Sequence, residues 1–166
     1  MNAITSFSSD GETRINSAED IAELEQVAHV FRSQLIEKFA EIETAIIKKV
    51  QKAEPAIIGK KPLGLKFDIV RKLVIQNPPI FKNPSKVGKL LDQLQPFADL
   101  RAELAHSTIT ILSTAQKGDI VVYRNANEAN HAVVQKCGHL TTGQMKHFLK
   151  RTAHLCAEFK LIEVEK

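Results

Sequence analysis

The stretch SAEDIAELEQVAHVFRSQLIEKFAEIETAIIKKVQKA, Ser17 to Ala53, decides the fold class. Its apolar residues Ile21, Leu24, Ala28, Phe31, Leu35, Phe39, Ile42, Ile46 and Val50 recur at spacings of three and four. That period lines up one face of a single long α-helix. Ser17, three residues before Asp20, forms a loose capping box. Glu19, Asp20, Glu23 and Glu25 crowd the start, where the helix dipole favours acids, and Lys48, Lys49 and Lys52 suit the last turn. Pro55 stops it. A helix this long near the start of a small chain suits a bundle or a dimer better than a compact α/β domain.

Working outward, residues 1–16 are polar and read as a flexible N-terminal segment. Residues 17–166 read as one domain, large enough to bury a core without metal or disulfide staples. The loop PAIIGKKPLG follows Pro55, with Ile57 and Ile58 expected to tuck onto the bundle. LKFDIVRKLVIQ predicts a second helix with Leu65, Ile69, Leu73 and Val70 inward. Pro84 opens a third helix at a position that tolerates proline. Val87, Leu90, Leu91, Leu94, Phe97, Leu100 and Leu104 carry its stripe. Pro96 makes it either one kinked helix or two that meet near Gln95. Ile109, Ile111 and Leu112 extend it weakly, because STITI is β-branched. DIVVYR and HAVVQKC, separated by the turn residues NANEAN, predict a β-hairpin at 119–137. Thr141 and Gln144 then form a capping box for a last helix with Met145, Phe148, Leu149, Thr152, Leu155, Cys156 and Phe159 inward. The expected fold is mainly α: a bundle of four or five helices with a small late β-hairpin. The lack of repeated βα units excludes a Rossmann-like fold.

The net charge of +4 hides an asymmetry. Residues 1–54 carry 6 basic and 10 acidic side chains, residues 55–106 carry 9 and 4, and residues 117–166 carry 8 and 5. A basic middle can meet a polyanion, or it is simply a solvated lysine-rich surface. Cys137 and Cys156 read as reduced thiols, as in a cytoplasmic protein. The start resembles no signal peptide, and no apolar run is long enough to span a membrane. GKKPLG lacks the spacing of a phosphate loop. HExxH and CxxC are absent, and Cys137, His139, His147 and Cys156 make a poor zinc set. No metal or cofactor is expected.

One motif carries chemistry. In LRAELAHS, Leu100 to Ser107, a permanent cation, Arg101, stands five residues before His106. Histidine is the side chain whose ordinary pKa lies near neutrality. Five helical residues turn the chain by about 500°, leaving the two side chains about 140° apart with a rise of about 7.5 Å. One straight helix does not aim both at a point, whereas two copies related by a two-fold axis can bring them together.

LRAELAHS resembles the Arg-x4-His motif of the HEPN superfamily, all-α domains of four or five helices that are usually dimeric. The resemblance covers roughly residues 18–115. It implies a metal-independent endoribonuclease of toxin–antitoxin, phage-defence or RNA-processing systems, with Arg101 and His106 catalytic at a homodimer interface. RNA is then the substrate, and a cognate antitoxin or regulatory protein is the partner such systems carry. The family usually has Asn, Asp or His after the arginine; here it is Ala102. Asp99 or Glu103 is expected to supply the missing acceptor to the His106 ring. If neither does, an inactive relative that binds RNA or a protein partner is the alternative.

The chemistry fits the two residue types. RNA supplies its own nucleophile, the 2′-hydroxyl. A histidine moves the proton as base or acid. An arginine matches phosphate with a forked pair of donors and stabilises the charge that develops on it. The products are a 2′,3′-cyclic phosphate and a 5′-hydroxyl. Ser107 and Thr110 flank the histidine and either touch phosphate or end the helix. Lys82, Lys86 and Lys89 read either as a path for RNA or as an ordinary exposed helix face. Tyr123 either stacks on a base or packs in its sheet. His29, His131, His147 and His154 read as structural or surface residues.

Overall fold

A computed structural model describes residues 5–7, 13–15, 18–57, 62–114, 118–129 and 132–165. In chain order the elements are β1 (Thr5–Phe7), β2 (Thr13–Ile15), α1 (Ala18–Val50), a 3-10 turn (Pro55–Ile57), α2 (Leu63–Val74), α3 (Pro84–Ala105), β3 (Thr108–Thr114), β4 (Gly118–Ala129), β5 (Ala132–Leu140) and α4 (Thr142–Lys160). The protein is mainly helical, with a small antiparallel sheet late in the chain. It divides into two compact units, Met1–Gln34 with Ala102–Leu149 and Leu35–Arg101 with Lys150–Lys166, so α1, α3 and α4 each contribute to both. No helix among the described residues is long and apolar enough to cross a membrane.

The first unit is built on the sheet. Its strand order is β3-β4-β5, with Ile111 opposite Val121, Ile109 opposite Tyr123 and Tyr123 opposite Gly138. Ile111, Val121 and Tyr123 are buried on one face. The Tyr123 hydroxyl lies 3.5 Å from the Ala28 carbonyl of α1 and 3.9 Å from the Met145 sulfur of α4. Burial pushes its pKa up to about 12, against a smaller opposing effect of Arg32. Tyr123 therefore packs in the sheet rather than offering a ring to a base. β1 and β2 pair antiparallel within the segment expected to be flexible.

Ile109, Ile111 and Leu112 lie on a strand, not on an extension of α3, and the late hairpin is two strands of a three-stranded sheet. The run TITILST explains the change. Branched β-carbons lose side-chain freedom in a helix and pack well on a pleated surface, and β4 offers them a partner.

The second unit is helical. Leu35, Phe39, Ile42, Ile46 and Val50 of α1 are buried at the expected period, and Ile57 is buried with them. Ile58 and the Ser17 cap lie outside the described residues. The face of α2 is rotated from expectation. Lys66, Phe67, Val70 and Leu73 are buried, whereas Leu65 is 51 % exposed. Lys66 reaches the core face because its ammonium meets the Glu43 carboxylate of α1. A paired lysine thus takes the place that the apolar pattern assigns to leucine.

α3 is one helix despite Pro96. Asn83 caps it, accepting the Lys86 N–H at 3.0 Å, with Pro84 in the first turn where its missing N–H is harmless. Gln95 spans the proline region, accepting from Arg71 of α2 at 2.9 Å and donating to Asp99 at 2.8 Å. α4 begins at the expected capping box: Thr141 N–H donates to Gln144 Oε1 at 2.8 Å, and Gln144 N–H donates to Thr141 Oγ1 at 3.2 Å. Met145, Thr152, Leu155, Cys156 and Phe159 form its buried face.

Candidate functional site around the end of helix α3

The last turns of α3 place Arg101 and His106 in different settings. α3 buries Leu94, Ala98 and Leu104. Arg101 falls on the same line, three residues from Ala98 and from Leu104, and is half-buried. Its Nε–H is buried and has no hydrogen-bond partner among the described residues. The guanidinium makes no hydrogen bond or ion pair with any described residue. A buried donor left unpaired costs about 1–3 kcal/mol, and native folds keep few of them. His106 is the first residue beyond α3 and is exposed. Its imidazole likewise makes no hydrogen bond or ion pair with a described residue.

The turn that carries His106 is firmly held. Ser107 is buried, its N–H donates to the Leu104 carbonyl at 3.3 Å, and its hydroxyl donates to the Glu103 carbonyl at 2.5 Å. The Ser107 carbonyl in turn accepts Arg32 Nη1 of α1 at 2.9 Å. Arg32 Nη2 lies 3.0 Å from His29 Nδ1. Ser107 thus ends the helix, and Thr110 follows on β3 opposite Val122.

The remaining expected residues are distributed along the chain. Contrary to expectation, neither Asp99 nor Glu103 hydrogen-bonds the His106 ring: Asp99 is exposed and accepts from Gln95 instead. Glu103 is half-buried, and Ala102, which presents only a methyl group, is exposed. Lys82 is held by Glu163, whose carboxylate raises its pKa above the ordinary lysine value. Lys86 and Lys89 are exposed, with no partner for either ammonium among the described residues. No cluster of three or more His, Cys, Asp or Glu residues suited to a metal occurs among the described residues. Cys156 is a free, buried thiol whose pKa is raised by burial.

Arg32, which no sequence pattern singled out, and His29, exposed as a surface residue, adjoin the turn that carries His106. The only sequence signal is their spacing of three on α1, which makes them neighbours on a helix surface. The Ser107 carbonyl that Arg32 grips is 75 residues away. No protein-family model, no curated protein and no solved structure matches the chain.

Proposed function

We propose that this protein is a metal-independent endoribonuclease of the HEPN type, acting as a homodimer. His106 transfers the proton in attack of the RNA 2′-hydroxyl on the neighbouring phosphate, and Arg101 stabilises the charge developing on the phosphoryl oxygens. Two copies of Arg101 and His106, meeting across a two-fold axis, make up the site. The observation that carries this reading is that both motif side chains are unspent: neither has a partner among the described residues, and Arg101 keeps a buried donor unpaired. The outer guanidinium nitrogens, which have no partner among the described residues, are the donors that a substrate phosphate would meet.

A second reading rests on Ala102. Without a polar group at that position, the domain binds RNA or a protein partner such as an antitoxin and does not cut. Incubation of labelled single-stranded RNA with the protein in EDTA separates the two. Cleavage to a 2′,3′-cyclic phosphate, lost in His106→Ala, supports the enzyme. Binding without cleavage supports the inactive module.

A further inference from the structure

We infer that Arg32 and His29 form a phosphate-binding subsite beside His106, taking the backbone phosphate next to the one cleaved. The inference rests on the ribonuclease reading and adds two residues of α1 to it. Among the described residues Arg32 makes two hydrogen bonds, both to neutral acceptors: the Ser107 carbonyl and His29 Nδ1. No carboxylate among the described residues pairs with it. Arg151 and Lys49 likewise donate to neutral oxygens, of Gln93 and Ile162, whereas several other cations pair with carboxylates. Arg71 meets Asp68 and Asp92, Lys66 meets Glu43, Lys82 meets Glu163, and Lys38 and Lys160 share Glu41. A half-buried guanidinium held only by neutral groups keeps its full charge for an anion.

The neighbours suit an anion as well. Guanidinium nitrogens only donate, so His29 Nδ1 is the acceptor and the neutral ring carries its proton on Nε2. His29 is exposed, so that N–H is a second donor available from solvent. Two of the five N–H groups of Arg32 are used, which leaves three. The carbonyls that end α3 would repel an anion, but Ser107 covers those of Glu103 and Leu104 with its hydroxyl and N–H. The bond from Arg32 to Ser107 joins this donor set to the residue after His106, and this adjacency in the chain is why the subsite is assigned to the phosphate next to the one cleaved.

The test measures RNA affinity in EDTA over a series of salt concentrations, using a fluorescent single-stranded oligonucleotide and a His106→Ala background that prevents cleavage. Arg32→Gln should weaken binding about tenfold and flatten the log Kd against log salt slope by about 0.7, the contribution of one single-strand phosphate contact. Arg32→Lys should restore the slope and part of the affinity. His29→Leu should weaken binding a few-fold with the slope unchanged. In the cleaving protein, Arg32→Gln should raise KM and leave kcat within a few-fold. An unchanged slope in a folded Arg32→Gln protein, or a collapse of kcat at constant KM, overturns the subsite and leaves Arg32 as a clamp on the turn. If Arg32→Gln melts early, exposed His29 carries the test, and unchanged affinity in His29→Leu overturns the subsite. Wild-type protein that binds RNA with these effects but never cleaves it removes the enzyme reading and keeps the subsite. Wild-type protein that does not bind RNA overturns both.

Discussion

Replacing Arg101 by methionine should make the protein more stable while removing the proposed ribonuclease activity. Methionine keeps an unbranched stem on the line of Leu94, Ala98 and Leu104, so little apolar burial is lost. It deletes the buried Nε–H that has no partner among the described residues. Such a group costs about 1–3 kcal/mol. Part of that gain is offset, because the outer guanidinium nitrogens give up their interactions with water. The net expectation is a stabilisation of about 1 kcal/mol, or about 2–4 °C in Tm for a chain of this length. Thermal unfolding followed by circular dichroism reads the effect, with gel filtration on the same samples. Arg101→Ala should fall near zero, since it relieves the unpaired donor but also strips the stem. A fall of 2 °C or more for Arg101→Met would refute the reasoning. The guanidinium would then be holding the helix in place, and its unpaired state would carry no functional meaning.

Three other perturbations follow from the same physics. Glu43→Gln leaves the buried Lys66 ammonium without its counter-charge and should destabilise the protein by about 2 kcal/mol, below the range for a fully buried pair because Glu43 is about a third exposed, whereas Lys66→Met should stay within about 1 kcal/mol; urea unfolding distinguishes them. The Glu41 carboxyl is held down to about 2, first by the Lys160 hydrogen bond and then by that of Lys38. A depressed folded pKa gives stability that is complete above the ordinary value of 4.5 and lost as pH falls toward 2, so Glu41→Gln should lose that part of the acid dependence. Screening at this exposed group limits the effect to about 1 kcal/mol or less, read from Tm against pH. Thr141→Ala removes the acceptor that closes the α4 capping box and should cost about 1 kcal/mol in the same unfolding assay, and no change would deny the box its role.

The residues show why some features were legible in the sequence. The stripe from Ala28 to Val50 and the Thr141–Gln144 box are local patterns, and local hydrogen bonds and burial realise them. β3 was not legible because a short branched run after a helix has no period of its own; its state is set by the partner strand β4. The buried face of α2 includes the expected Val70 and Leu73 but takes Lys66 and Phe67 in place of Leu65, and hydrophobicity alone cannot foresee a lysine buried on a carboxylate from another helix. Arg101 and His106 were visible as a spaced motif. The link from Arg32 to Ser107 was not, since the contact joins α1 to a turn far along the chain and one of its partners is a backbone carbonyl, which no residue type announces.

The most direct measurement is cleavage of a labelled single-stranded RNA in EDTA by wild type, His106→Ala and Arg101→Met, purified side by side. The account predicts that wild type releases a 2′,3′-cyclic phosphate and a 5′-hydroxyl end, and that each substitution lowers the rate by about 10²–10⁴-fold in a folded protein. Equal rates for all three proteins, or no cleavage by folded wild type, would contradict it.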